Sequence, residues 1–378
     1  MAAASSNRSL SLDIFRGMTV CFMIIVNTPG VDALAFGPLH HAAWHGFTPT
    51  DLVFPSFLFA VGNAMSFSLK KYEALGEGAF LGKVFKRTLL IFLIGYLMYW
   101  FPFVHKGDDG GWHLNPIGDT RIVGVLQRIA LCYCLASLLI HYCSYKAVYF
   151  ISGLLLIGYW VVLLYAAPAG VDPFGMTTNA GYFFDKWLLG EHHMYHGEGV
   201  AFEPEGILST LPAIVNVVLG YFTGLFIQEK GKSYEGLTRL LMAGCILMAL
   251  AWFWNLEFPV NKKLWTSPFV LLTSGLDMVI LSFLVYIIDM QGRKKWTSFF
   301  GIFGKNTLFI YILSEILITV LWMIPAGDDS FVTWVNKNVF QWWILAGPVG
   351  SLLFSLAYML VCWGVGKWLD MKKIYIRV

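Results

Sequence analysis

Apolar residues run in long stretches separated by short polar connections. Ten such stretches lie near 12–30, 51–69, 88–104, 122–142, 147–167, 206–227, 238–256, 267–289, 306–324 and 345–367. Each is close to the ~20 residues a helix needs to cross about 30 Å of hydrocarbon. Lipid leaves no water to satisfy backbone N–H and C=O groups, so a run of this length is read as a helix. The pattern predicts an all-α polytopic membrane protein: a bundle of about ten transmembrane helices forming one domain over 1–378. The longest connection, 168–205, is expected to be an outer loop or lid within that domain. Residues 296–304 predict a short interfacial piece before the ninth span, and Trp342 and Trp343 are expected to anchor the start of the tenth.

Composition agrees. Only 13% of residues are charged, against about 25% in a soluble domain. The net charge of +3 gives no reason to expect a nucleic-acid partner. The distribution of charge says more than its sum. Most of the 26 Lys and Arg fall in alternate connections, among them Lys70 and Lys71, Lys230 and Lys232, Arg293 to Lys295, and Lys372 and Lys373. The positive-inside rule then puts both termini in the cytoplasm and the 38–55 and 168–205 stretches on the outer face. The six cysteines lie in or at the ends of apolar runs, which argues against a disulfide framework.

Candidate chemistry is concentrated in 38–55, Pro-Leu-His-His-Ala-Ala-Trp-His-Gly-Phe-Thr-Pro-Thr-Asp-Leu-Val-Phe-Pro. His41, Trp44 and His45 stand at i, i+3 and i+4 and would share a face in a short helical turn. Asp51 can hydrogen-bond an imidazole and fix its tautomer, a pair suited to removing a proton near neutral pH. Interfacial His and Trp would also be at home here without any chemistry. The same residues supply at most a poor metal site, because the Glu of a His-Glu-x-x-His helix is missing; no metal is expected. Within the apolar runs lie Asp13, Arg16, Asn27, Gln127, Arg128, Asp277, Asn306 and Glu315. Such residues face a bundle interior or a wet cavity, and Arg16 and Arg128 are possible ion-pair partners for the mid-span carboxylates. Asp13 and Asn27 are about 21 Å apart along one helix, which lets that helix line a passage between the faces. Gly17, Gly124, Gly206, Gly220 and Gly224 read as close helix-packing points.

Several motifs, taken in order, resemble one known family. They are Arg8-Ser-Leu-Ser-Leu-Asp13-Ile-Phe-Arg16-Gly17, Val26-Asn27, and the long run from His41 through Trp44-His45-Gly46 and Thr48 to Asp51 and Pro55. Gly124-Val-Leu-Gln127-Arg128, Pro204-Glu205-Gly206, Lys263-Leu-Trp265-Thr266 and Asn306 to Glu315 continue the series. Together they resemble the heparan-α-glucosaminide N-acetyltransferase family, in a form similar to its bacterial-type members. The resemblance implies transfer of an acetyl group from cytoplasmic acetyl-CoA to the amine of a glucosamine-type sugar on the far side of a bacterial inner membrane. It implies His41 as the active-site histidine, Asp51 as the motif carboxylate, Asn27 as a site asparagine and Glu205 as the acidic residue before the sixth span. His45 and Ser314 depart from the pattern of the lysosomal member, and both bear on acceptor identity.

Chemistry supports that implication. An amine acceptor is mostly protonated at neutral pH, so a base such as His41, oriented by Asp51, must act before attack on the thioester. Asn27 can donate to the developing oxyanion. Trp44, His45, Glu205 and Glu315 are expected to bind the acceptor. Asp13, Arg16, Arg128, Lys83, Lys86 and Arg87 are expected to hold the coenzyme, with Lys230 and Lys232 nearby. His41 acting as a nucleophile, a transporter of amino sugars, an acyltransferase for hydroxyl acceptors and a homodimer all remain open.

Overall fold

The computed structural model describes residues 9–31, 34–107, 109–342 and 346–376; Arg8, Trp343 and Arg377 lie outside the described residues. The helices in chain order are α1 (Leu10–Asn27), α2 (Val53–Glu73), α3 (Glu77–Trp100), α4 (Val125–Tyr142), α5 (Tyr145–Tyr165) and α6 (Ala180–Leu189). They continue with α7 (Thr210–Lys230), α8 (Tyr234–Trp254), α9 (Ser267–Leu284), α10 (Thr297–Lys305), α11 (Thr307–Met323), α12 (Phe331–Val335) and α13 (Pro348–Met371). Two small antiparallel hairpins, β1 (Val104–Lys106) with β2 (Trp112–Leu114) and β3 (Pro325–Ala326) with β4 (Asp329–Ser330), sit in connections.

Eight of these helices are long and apolar enough to cross a membrane, nine if the bent pair α10–α11 counts as one. The remaining expected span corresponds to α3, which is not among these helices, and its start differs from the expectation. It begins at Glu77, not near 88, so Lys83, Lys86 and Arg87 belong to a 24-residue helix instead of a loop. Long cationic stems can run along a helix while their heads stay wet, so charge there does not end it. The interfacial piece expected at 296–304 is α10, which meets α11 at 83°. The protein is thus an all-α polytopic membrane protein.

Burial sorts the bundle. The apolar window of α7 is 78% buried and that of α2 is 67%, whereas α5 and α8 reach only 28% and present most of their surface to lipid. Small residues allow the central crossings. A methyl group on Gly62 would overlap the Val217 carbonyl, one on Gly220 would overlap Phe59, and one on Gly224 would press on Ser66 and Asn63. The same close approach joins α8 to α9 at Gly244 and Gly275, and α1 to α10 at Gly17 and Gly304. Lipid gives helices little hydrophobic reason to associate, so such packing and interhelical hydrogen bonds do the joining. The Asn216 side chain ties α7 to α9 by donating to Thr273 Oγ1 (3.2 Å) and Ser274 Oγ (3.0 Å), and accepts from Trp265 Nε1 at 3.0 Å. Ser56 on α2 donates to the Asp277 carboxylate of α9 at 2.5 Å.

The first and last spans end on the same face. Arg16 near the start of α1 donates to the Gly304 carbonyl, and Asn306 bonds the chain just beyond α13 through Ile374 and Ile376. This termini-bearing face is the one expected to be cytoplasmic. The connections at 28–52, 101–124, 166–209 and 255–266 gather at the other.

A glycine comparison tests the central crossing. Gly62→Ala should lower the melting temperature of the detergent-purified protein, since overpacking of this kind costs about 1–3 kcal/mol. Gly82→Ala, where an added methyl meets nothing, should leave it unchanged or raise it, because Ala is the better helix former.

Candidate active site

The site begins with a helix start. Thr48-Pro49-Thr50-Asp51 forms one tight turn leading into α2, with Thr48 as N-cap, Pro49 in the first turn and Asp51 closing a capping box. Each residue type suits its place: Thr accepts from exposed N–H groups, Pro lacks one to leave unpaired, and an acidic residue at the third position reaches back. Asp51 Oδ2 accepts the Thr48 N–H (3.0 Å), the Thr48 hydroxyl (3.1 Å) and the Ala42 N–H (3.1 Å). Its other oxygen, Oδ1, lies 2.7 Å from His41 Nδ1. A carboxylate so placed accepts, so Nδ1 carries the proton and Nε2 has the free lone pair. The Asp51 side chain is 1% exposed and that of His41 42%. The carboxylate is sealed in protein while the imidazole it orients is open.

His41 opens on a cavity of about 350 Å³. α1 contributes Met23 and Asn27, α3 contributes Met98 and Tyr99, and α11 contributes Tyr311 and Glu315. The connections at the end opposite the termini supply Arg121, Tyr195, Glu198, Glu205, Lys262 and Lys263. Asn27 Nδ2 donates to Glu315 Oε1 at 3.2 Å, joining two of the expected site residues from different helices.

Arg121 organises the acidic wall. Its Nε donates to Glu203 Oε2 at 2.9 Å, and its Nη2 serves both Glu203 Oε1 and Glu205 Oε2, the latter at 2.5 Å. The guanidinium lies over the Tyr99 and Tyr195 rings at 4.9 and 4.8 Å. Burial pushes Glu203 up to about 7, against the pull of Arg121. Burial also works to raise Glu205, but Arg121, Arg128 and Lys262 outweigh it and the net direction is down. Glu205 therefore faces the cavity charged. Lys263 Nζ ties Glu198 (2.7 Å) to the Ala43 carbonyl (3.0 Å), fastening the 190–205 segment to the histidine loop.

Several expected residues lie elsewhere. The segment 41–48 is irregular, so His41, Trp44 and His45 share no helical face. Trp44 turns away, donating to the Phe174 carbonyl at 2.9 Å and packing edge-on against Phe202. His45 Nδ1 accepts from Asn261 Nδ2 at 3.3 Å, and burial lowers its pKa although Asp172 works the other way. Neither lines the cavity; both hold the loop. Asp13 and Arg16 pair with each other at 3.2 Å at the far end of α1. Arg87 lies over the Tyr133 ring at 4.6 Å and Lys83 over Tyr72 at 4.8 Å, on the termini-bearing half of α3. Arg128 is fully buried, over the Trp265 ring at 4.8 Å and bonded to Gly206 and Ser209 rather than to a mid-span carboxylate.

Arg121, Lys262, Tyr99, Tyr195 and Tyr311 escaped the sequence reading as site residues. Arg121 and Lys262 had a usable signal: cations are scarce in the connections expected on the outer face, so each one there invites a reason.

A family model described as heparan-alpha-glucosaminide N-acetyltransferase, catalytic, matches residues 8–252. The chain belongs to this family. The human heparan-alpha-glucosaminide N-acetyltransferase is 30% identical over 365 residues, covering 82% of this chain and 53% of the relative. The mouse protein of the same name is 28% identical over 369 residues, covering 83% and 54%. The chain therefore spans about half the length of either relative. The stretch matched by the N-acetyltransferase family model contains His41, Asp51, Arg121 and Glu205. It ends before Lys262, Tyr311 and Glu315, which complete the cavity.

The acidic segment over the site carries a pH signature. Burial raises Asp185 of α6 to about 7, while its Oδ1 accepts the Ile207 N–H at 2.9 Å. A carboxyl raised in the folded state binds more protons folded than unfolded. Its contribution is therefore full below the unfolded value and is lost as pH rises through about 7. Asp185→Asn should remove this term. The melting temperature of the variant relative to the parent should climb by a few degrees between about pH 5 and about pH 8; a difference independent of pH would contradict the assignment.

Proposed function

We propose that this protein is a transmembrane N-acetyltransferase that moves an acetyl group from acetyl-CoA to the amine of a glucosamine-type sugar, in a bacterial cytoplasmic membrane. The observation that carries this reading is the Asp51–His41 pair, whose free Nε2 opens on a cavity walled by Glu198, Glu205 and Glu315. The relatives' names supply the reaction class. Acetyl-CoA acts as co-substrate, reaching the cavity from the termini-bearing face with its thin pantetheine arm between α1, α3 and α11.

The acidic wall suits an amine-bearing acceptor, which arrives largely as an ammonium. On entry the ammonium gives up one proton to bulk water, and His41 Nε2 takes a second proton from the resulting neutral amine as that nitrogen attacks the thioester carbonyl carbon. A C–N bond forms, the C–S bond breaks, and the proton held on Nε2 passes to the departing thiolate. Asp51 keeps the imidazole in the Nδ1–H tautomer throughout and balances the transient imidazolium. Asn27, fixed by Glu315, lines the cavity at membrane depth and positions the acetyl end.

Purified protein supplied with acetyl-CoA and glucosamine should release free CoA thiol. His41→Ala should lower that rate by on the order of 10²-fold or more while the protein stays monodisperse; a variant that turns over normally would remove His41 from the mechanism. Asp51→Asn should retain more activity than His41→Ala, since the amide still accepts from Thr48 but no longer balances charge. Direct transfer leaves no stable acetyl group on His41 when radiolabelled acetyl-CoA is added without acceptor and rapidly quenched; label found there would show a covalent intermediate instead.

A further inference from the structure

Lys262 Nζ stands 3.0 Å from His41 Nε2 and 3.1 Å from Nδ1. The two ring nitrogens flank a single carbon. An ammonium nearly equidistant from both cannot lie in the ring plane at that range without colliding with that carbon, so it lies over the ring face. It therefore does not occupy the in-plane lone pair of Nε2, which stays open to the cavity.

The position is held from behind. Asn261, fully buried, accepts the Leu264 N–H at 2.8 Å and donates to His45, while the Thr266 hydroxyl accepts the Asn261 N–H at 3.0 Å and donates to the Pro259 carbonyl at 2.9 Å. Lys262 is thus presented by a tight, saturated turn rather than a floppy loop. Its charge also has no other evident employment. Among the described residues, the other two cations lining the cavity are matched, Arg121 by Glu203 and Glu205 and Lys263 by Glu198. Lys262 donates to no carboxylate and meets only the imidazole.

We propose that Lys262 is a catalytic residue, its ammonium donating to the acetyl carbonyl oxygen as negative charge develops there during transfer at His41. A nucleophile held on Nε2 brings the carbonyl it attacks to the same end of the ring, within reach of the N–H groups that the ring face leaves free. Preorganised donors aimed at a developing oxyanion contribute most in a water-poor site. The inference rests on the acetyl-transfer reading and makes Lys262, rather than Asn27, the principal oxyanion donor; Asn27 already spends an amide hydrogen on Glu315. Burial lowers the Lys262 pKa from the ordinary lysine value, with Asp51 and Glu205 opposing the shift and Lys263 adding to it. The charged and titratable groups around it are thus His41, Asp51, Glu198, Glu205 and Lys263. An ammonium of lowered pKa sets an alkaline limit on turnover below that of a free lysine.

The test compares the parent, H41A, K262M and K262R by CoA release from acetyl-CoA and glucosamine across pH. K262M should lose about 100-fold in kcat with little change in KM for glucosamine. K262R should recover part of the loss, with its alkaline decline moved upward because arginine does not titrate there. If H41A is inactive while K262M keeps its kcat, the Lys262 assignment falls and the acetyl-transfer reading stands. K262R as inactive as K262M, or with an unmoved alkaline limb, also overturns it. A parent that releases no CoA ends both. Should K262M not be monodisperse, K262Q makes the same comparison.

Discussion

The Asp51 carboxylate is the constraint on which the site depends. One oxygen belongs to the protein's architecture, accepting three hydrogen bonds that start α2 and fold the 42–48 loop back on itself. The other faces the cavity side, holding His41 at 2.7 Å. A helix start cannot slip without moving the imidazole, and the imidazole cannot turn without giving up a hydrogen bond to a sealed charge. Hydrogen bonds to an ionised carboxylate are stronger than neutral ones, which makes Asp51 a rigid reference point for everything facing the cavity.

The bundle keeps that point in register by means proper to a membrane. Helices with little hydrophobic reason to associate are joined where glycine lets backbones touch and where polar side chains satisfy one another. Both devices converge on α2: Gly62 meets α7, and Ser56 meets Asp277 of α9. The helix that begins at the His41–Asp51 pair is thereby one of the most deeply buried. The exposed helices α5 and α8 act as a lipid-facing jacket and contribute nothing to the cavity lining.

Over this frame the connections opposite the termini close through charge. Arg121 gathers Glu203 and Glu205, Lys263 gathers Glu198 and the histidine loop, and Lys262 is left over the His41 ring. Within the 168–205 stretch Asp185 and Glu203 are buried, and of its acids Glu198 and Glu205 line the cavity, so it is not a solvated flap. The balance of cations and anions lets the cavity wall keep partly buried charged groups that would each be costly alone.

The sequence by itself determined the membrane class and the order of the apolar helices, and it singled out His41 and Asp51, which the structure brings together. Hydrocarbon thickness sets helix length, and the local Thr-Pro-Thr-Asp pattern dictates a helix start whose acid has a neighbouring imidazole. The same local logic misjudged Trp44 and His45, whose spacing mimics a helical face but whose backbone is irregular, and it put α3's cations in a loop. Only the tertiary structure decided that Asn27 meets Glu315, that Arg128 is buried rather than free, and that Lys262, 221 residues along the chain from His41, lies over its ring. Those contacts join separate helices and connections, and their partners are chosen by packing at glycine crossings and by charge balance across loops, neither of which leaves a periodic trace in one chain.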